Sequence, residues 1–131
     1  MIVIDTSAVV AVLQDEPERR TLTEAIERAE RCVMSAVSYV EASMVIEARR
    51  GYDGVRDFDL LILKAGIDVA AVDAEQAKIA RSAFRKFGKG RHAANLNFGD
   101  CFSYALAQAL EAPLLFKGND FSQTDVETAI K

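Results

Sequence analysis

The feature that most constrains the fold is a set of short strand-like runs separated by segments of helical length. Ile2-Val3-Ile4, Cys32-Val33-Met34, Ile67 to Val72 and Leu114-Leu115-Phe116 each have the length and composition of a buried strand. A fifth, shorter one is expected within Val126–Ile130. Between them lie helix signals. Thr6-Ser7-Ala8 starts an apolar helix through Leu13, and Asp15-Glu16-Pro17-Glu18 supplies a cap, an early proline and first-turn acids for a helix to about Ala29. Ser35 or Ser38 begins a third helix that Gly51 stops after Arg50, and a fourth runs from Val55 to Ala65, closed by Gly66. Asp73 caps a long helix to Phe87, with Ala77, Ala80, Phe84 and Phe87 at 3.6-residue spacing on one face. Gly88–Phe98 reads as a loop. Gly99 or Asp100 then opens a helix whose apolar stripe is Phe102, Ala105, Leu106, Ala109 and Leu110. Such alternation predicts an α/β fold: a parallel central sheet of four to five short strands with helices on both faces.

Composition supports one packed domain over residues 1–131. Hydrophobic residues make up 50% of the chain and charged residues 27%, enough apolar matter for a core and too much for disorder. No apolar run approaches the roughly 18 residues of a membrane span, and no signal-peptide pattern precedes Asp5, so no membrane association and a cytoplasmic location are expected. Sixteen basic against twenty acidic side chains leave a net charge of −4, which excludes a DNA-coating protein. The balance is locally reversed. From Ala77 to Gly99 the chain carries Lys78, Arg81, Arg85, Lys86, Lys89 and Arg91 and no acid, a pattern that fits either a polyanion contact or a solvated helix face. Cys32 and Cys101 lie far apart with no CxxC, and read as small core residues. His92 is the sole histidine, so a two-histidine ribonuclease or a zinc HExxH site is impossible within one chain.

Four acids resist an ordinary surface explanation. Asp5 follows the first strand, Glu41 sits in a nearly all-apolar helix (Val37 to Ile46), Asp100 lies at a helix start, and Asp120 follows the last strand. Helix capping would account for Asp5 or Asp100 alone, and a turn for Asp120. A parallel sheet, however, brings strand ends and helix starts to one edge, where open α/β sheets place their chemistry. Crowded carboxylates repel one another unless a cation neutralises them. Oxygen ligands without His or Cys select a hard ion, Mg²⁺ or Mn²⁺, which suits phosphodiester hydrolysis.

At this point the motifs resemble a known family. Ile2-Val3-Ile4-Asp5-Thr6-Ser7-Ala8, Ser38-Tyr39-Val40-Glu41, Asn97-Phe98-Gly99-Asp100-Cys101 and Leu115-Phe116-Lys117-Gly118-Asn119-Asp120-Phe121 resemble, in order and across the whole chain, the motifs of PIN-domain nucleases. They are most similar to the VapC toxins of VapBC toxin–antitoxin modules. The resemblance implies a PIN-like three-layer fold and a Mg²⁺- or Mn²⁺-dependent endoribonuclease, homodimeric, acting on RNA and restrained by a VapB-like antitoxin. It matches Asp5 and Asp100 to metal-binding aspartates and Glu41 to the helix glutamate, with Thr6 or Ser7 orienting the cluster. Relatives often carry an Asp pair where this chain has Asn119-Asp120, so only Asp120 supplies charge there and Asn119 is a neutral neighbour.

Two rival readings follow from the residues. A receiver-like phosphoacceptor domain would use an aspartate cluster and Lys117, yet it wants paired acids where this chain has Asp5-Thr6-Ser7. A binding module without catalysis is the other. Finally, Val9, Val10, Val12 and Leu13, with Val40, Met44 and Val45, exceed what a small core is expected to cover, which predicts a partner groove or dimer face.

Overall fold

The computed structural model describes residues 1–130; Lys131, the last residue of the expected domain, lies outside the described residues. Four strands form a parallel sheet in the order β3-β2-β1-β4: β1 (Ile2–Ile4), β2 (Cys32–Ser35), β3 (Ile67–Ala70) and β4 (Leu114–Leu115). Side chains of β1, β4 and Cys32-Val33-Met34 of β2 alternate between two apolar layers, the pleat explaining why those runs are apolar. By contrast β3, expected as a buried strand, lies at the sheet edge and exposes Asp68 and Val69. Ile2, Ile4, Cys32, Met34 and Leu115 join α1 (Thr6–Leu13), α2 (Arg19–Arg28) and α3 (Ala36–Ala65). Val3, Val33 and Leu114 face the opposite layer, with α4 (Ala74–Phe87) and α5 (Phe98–Leu110). The expected three-layer α/β fold is therefore the observed one.

Chain order determines where a cleft opens. From β1 the chain proceeds outward through β2 and β3, and only later returns to place β4 on the other side of β1. The carboxyl end of β1 is thus a point where the connections diverge, and Asp5 is the next residue.

The expected stop at Gly51 and closure at Gly66 are both observed, whereas several other local features differ from expectation for packing reasons. The α3 span is broken at Gly51, whose φ of 66° and ψ of −158° only glycine adopts readily. The second half folds back so that Phe58 is buried against Tyr39, with ring centroids 5.6 Å apart. Asp15 does not cap α2. It adopts a left-handed φ of 54° while the Gln14 and Glu16 amides bond back to Val10 and Ala11, so this turn finishes α1. The second helix then starts at Arg19. Similarly, α5 starts at Phe98, because Asn97 rather than Gly99 or Asp100 is its cap.

The buried face of α4 is Gln76, Ala80 and Ala83, leaving Ala77 and Phe84 outward; the Gln76 side chain donates to the Ala71 carbonyl (3.2 Å) and fixes this rotation. Helix α5 has no single apolar stripe. Wedged between the sheet, α3 and α4, it buries Cys101, Ser103, Tyr104, Ala105, Leu106 and Ala107, whereas Ala109 and Leu110 emerge at its end. The β3 strand stops at Ala70 and β4 at Leu115. No fifth strand forms among the described residues; Thr128 makes one isolated bridge to Leu114. Both cysteines are buried and unpaired, as expected.

Candidate active site

Asp5 is held by three hydrogen bonds at the carboxyl end of β1. Its extended backbone caps α1, and Oδ2 accepts from the Ser7 amide (3.0 Å) and the Ser7 hydroxyl (2.7 Å). The Ser7 Oγ in turn accepts from the Lys117 amide at 3.0 Å, which ties the exit of β4 to the same carboxylate. Oδ1 accepts from the Ser103 hydroxyl at 2.5 Å. Since Ser103 has spent its one hydroxyl hydrogen there, the 2.9 Å contact with Ser38 Oγ runs from Ser38 to Ser103. Thr6 Oγ1 donates to the Ser38 carbonyl (3.2 Å). Asp5, Thr6, Ser38 and Ser103 are all buried. Capping therefore does not exclude a site role for Asp5: the same carboxylate caps α1 and is held in one orientation.

Asp100 occupies the third position of α5. The Asn97 side chain accepts from the Asp100 amide (2.9 Å), and Asp100 Oδ2 accepts from the Asn97 amide (3.0 Å), a reciprocal box that holds the helix start rigid. Burial pushes the Asp100 carboxyl up to about 7, the Asn97 N–H opposes the rise, and the charges of Asp5, Asp120 and Glu41 add to it. Glu41, in the second turn of α3, is raised first by burial and further by Asp5, with the nearby Thr6 hydroxyl opposing the rise. Asp100 thus lies in the field of the other three expected acids, and Glu41 in that of Asp5. Asp120 is the outermost, exposed on the turn after β4 and anchored by buried Phe121 beside Phe116 (5.3 Å between centroids). Asn119 is exposed next to it.

Gly99 explains how Glu41 reaches this cluster. A β-carbon built there would stand 2.3 Å from Glu41 Oε2, so the carboxylate occupies the space that a side chain would fill. Gly99 and Ser103 were not among the expected site residues. Ser103 follows Asp100 by three residues, hence on the same helix face, and that spacing was its one available signal. The reciprocal Asn97–Asp100 spacing was likewise legible.

The donor set fits a hard divalent cation. It offers carboxylate and hydroxyl oxygens, and its raised acids carry charge that a cation would relieve. Neither cysteine nor histidine competes: Cys101 turns into the core, and exposed His92 Nδ1 accepts the Ala94 amide at 3.0 Å. Among the described residues no three acids are already closed around one point, so ligation requires side-chain adjustment.

The six basic residues lie elsewhere. Lys78, Arg81, Arg85 and Lys86 project from α4, Lys89 and Arg91 from the following loop, all exposed and, among the described residues, none in an ion pair. Lys78, Arg81, Arg85 and Arg91 line one hollow with Phe84. The apolar expectation divides. Val9 and Val10 are core, Val12 and Leu13 pack against it, and the excess is on α3, where Val40 and Met44 are exposed beside a groove that includes Val45 and Glu41.

Fold and site together define a class: a small parallel α/β domain that gathers acids at the carboxyl edge of its sheet. The profile of the PIN domain matches residues 2–127. Ribonuclease VapC30 of Mycobacterium tuberculosis is 53% identical over 126 residues, covering 96% of each chain. The crystal structure of M. tuberculosis VapC20, described as a sarcin-ricin loop cleaving toxin, superposes with a TM-score of 0.79 at 16% identity, covering 96% of each chain. A toxin–antitoxin complex from Klebsiella pneumoniae contains a chain of TM-score 0.73 at 16% identity, with 100% of this chain and 99% of that one covered. This chain belongs to the PIN-domain family and, within it, to the VapC ribonucleases of toxin–antitoxin systems. That membership displaces the receiver-like reading.

Proposed function

We propose that the chain, as one nuclease domain, is a Mg²⁺- or Mn²⁺-dependent endoribonuclease whose cation is held by Asp5 and Asp100, with Glu41 and Asp120 completing the negative field. The observation that supports this reading is the convergence of β1, α3 and α5: Ser103, three residues beyond Asp100, donates to Asp5 Oδ1 at 2.5 Å, and the Glu41 carboxylate lies over Gly99, the neighbour of Asp100. When bound, the cation supplies a lowered pKa for water and neutralisation of charge on the phosphodiester. The chain's own residues do the rest. Ser7 and Ser103 lock the Asp5 carboxylate in one orientation. The Asn97 box fixes Asp100. Glu41, raised and packed over Gly99, is the group placed to accept a proton from the attacking water. Exposed Asp120 adds negative charge from the solvent side. The basic face of α4 receives the RNA backbone by charge alone.

The biological setting we infer is that of a cytoplasmic toxin. Among the described residues no helix is long and apolar enough to cross a membrane. A VapB-like antitoxin restrains the enzyme, and the chain pairs as a homodimer; exposed Val40 and Met44 beside the site are the surface that supports both expectations. Incubating the protein with total RNA, with and without Mg²⁺ or Mn²⁺, tests the activity. Discrete cuts that vanish with chelator and return with Mn²⁺ are expected. Intact RNA under every condition would leave only a binding module.

A further inference from the structure

We propose that the exposed ring of Phe98 is a stacking platform for a base adjacent to the scissile phosphate of single-stranded RNA. The inference rests on the ribonuclease reading of the neighbouring acids. Phe98 is 73% exposed although the three residues that follow it in α5, Gly99, Asp100 and Cys101, are buried. It is not loosely held. The Asn97–Asp100 box fixes the backbone on both sides of it, and the Phe102 ring supports it at 4.9 Å between centroids.

Its position gives the ring a purpose. On one side Phe98 borders the groove that contains Glu41 and Gly99, and Asp100 is two residues further along the helix. On the other side it borders an apolar groove shared with Phe84 and Arg81. Those two residues also line the hollow formed with Lys78, Arg85 and Arg91, and the Arg91 guanidinium lies 5.4 Å from the Phe84 ring centre. The Glu41 end of the α3 groove, the aromatic ridge and the basic hollow therefore follow one another from α3 across α5 to α4, with Asp100 two residues from the ring. A single-stranded polyanion matches that order: its phosphates suit the arginines, one phosphate suits a cation-loaded cleft, and the base between them needs an apolar plane. Stacking tolerates any base, so the platform sets position along the strand more than sequence.

The test uses a short RNA spanning a mapped cut, made intact and with an abasic site at each flanking nucleotide in turn. The wild-type protein is expected to show a KM roughly 5- to 100-fold higher for one of the two abasic substrates, with kcat largely retained. Phe98→Ala should raise KM for the intact RNA by a similar factor and lose nothing more on that abasic substrate, whereas Phe98→Trp should behave as wild type. Equal KM for intact and both abasic RNAs in the wild-type protein would overturn the platform, a result independent of how any variant folds. So would a Phe98→Ala protein whose only change is in oligomeric mass or in inhibition by the antitoxin, which would assign the ring to a protein partner. Failure of the wild type to cut the intact RNA would instead strike the ribonuclease reading, and the platform with it.

Discussion

The carboxyl edge of the sheet and the outer face of α4 are both charged, but they are built in opposite ways. The acids come from four distant parts of the chain, and Asp5 alone is fixed by Ser7, Ser103 and, through Ser7, the Lys117 backbone. The basic residues are close in sequence, exposed, and without ion pairs among the described residues. Buried, mutually dependent groups fail together, whereas exposed, independent ones contribute by small increments. Under the proposed function, the first region governs whether a bond is cut and the second how often RNA arrives.

The largest expected effect follows from removing one charge from the acidic edge. Asp5→Asn or Asp100→Asn should lower RNA cleavage by roughly 10³-fold or more, since cation-assisted charge stabilisation contributes several kcal/mol. Cleavage of labelled RNA by variants with unchanged circular dichroism measures it, and near-normal rates would dissolve the contrast between the two regions. Gly99→Ala comes next. Its methyl group must displace the Glu41 carboxylate, so activity should fall about 10- to 100-fold, with a loss of about 1–3 kcal/mol in denaturant unfolding from overpacking. Ser103→Ala should cost roughly 10-fold in activity and weaken cation binding by a comparable factor, because Asp5 loses its orienting donor. Calorimetry with Mn²⁺ separates that from a folding defect.

The smaller effects sharpen the comparison from both sides. A carboxyl raised from an ordinary 3.8 to about 7 takes up its proton on folding. Its favourable contribution is complete below about pH 4 and is lost as pH climbs towards 7. Metal-free protein should therefore melt lower at pH 7.5 than at pH 5, and Asp100→Asn, which keeps the shape without the charge, should flatten that slope and raise Tm at pH 7.5 by roughly 2–8 °C. Glu41→Gln should act in the same direction. Reversing Arg85 and Lys86 to glutamate should leave kcat alone, raise KM for long RNA a few-fold, and reduce the salt slope of binding by about one for each phosphate that is no longer neutralised.

What the sequence disclosed follows the same division between local and distant. The Asp73 cap and the extent of α4 were legible because N-cap and helix are adjacent, and its amide contact at Gln76 is 2.8 Å. The parallel sheet was legible because four apolar runs separated by helices leave few alternatives. The buried face of α4 was not, since Ala77 and Ala80 are equivalent in periodicity and only the Gln76–Ala71 bond and the neighbouring α5 distinguish them. Asp15 looked like a helix start because its role in ending α1 depends on a left-handed φ that composition does not reveal. In the site, the four acids stood out as charges in apolar surroundings. Ser103 and Gly99 did not, because a serine 98 residues from Asp5 and a glycine beneath Glu41 acquire meaning only once β1, α3 and α5 converge.

The most direct measurement is a calorimetric titration of Mn²⁺ into metal-free wild-type protein and into Asp5→Asn and Asp100→Asn, all at one pH. A shared site should give saturable binding in the wild type and at least about 10-fold weaker binding in each variant, in step with their lost cleavage. Equal Mn²⁺ affinity in all three proteins would show that Asp5 and Asp100 hold no common cation.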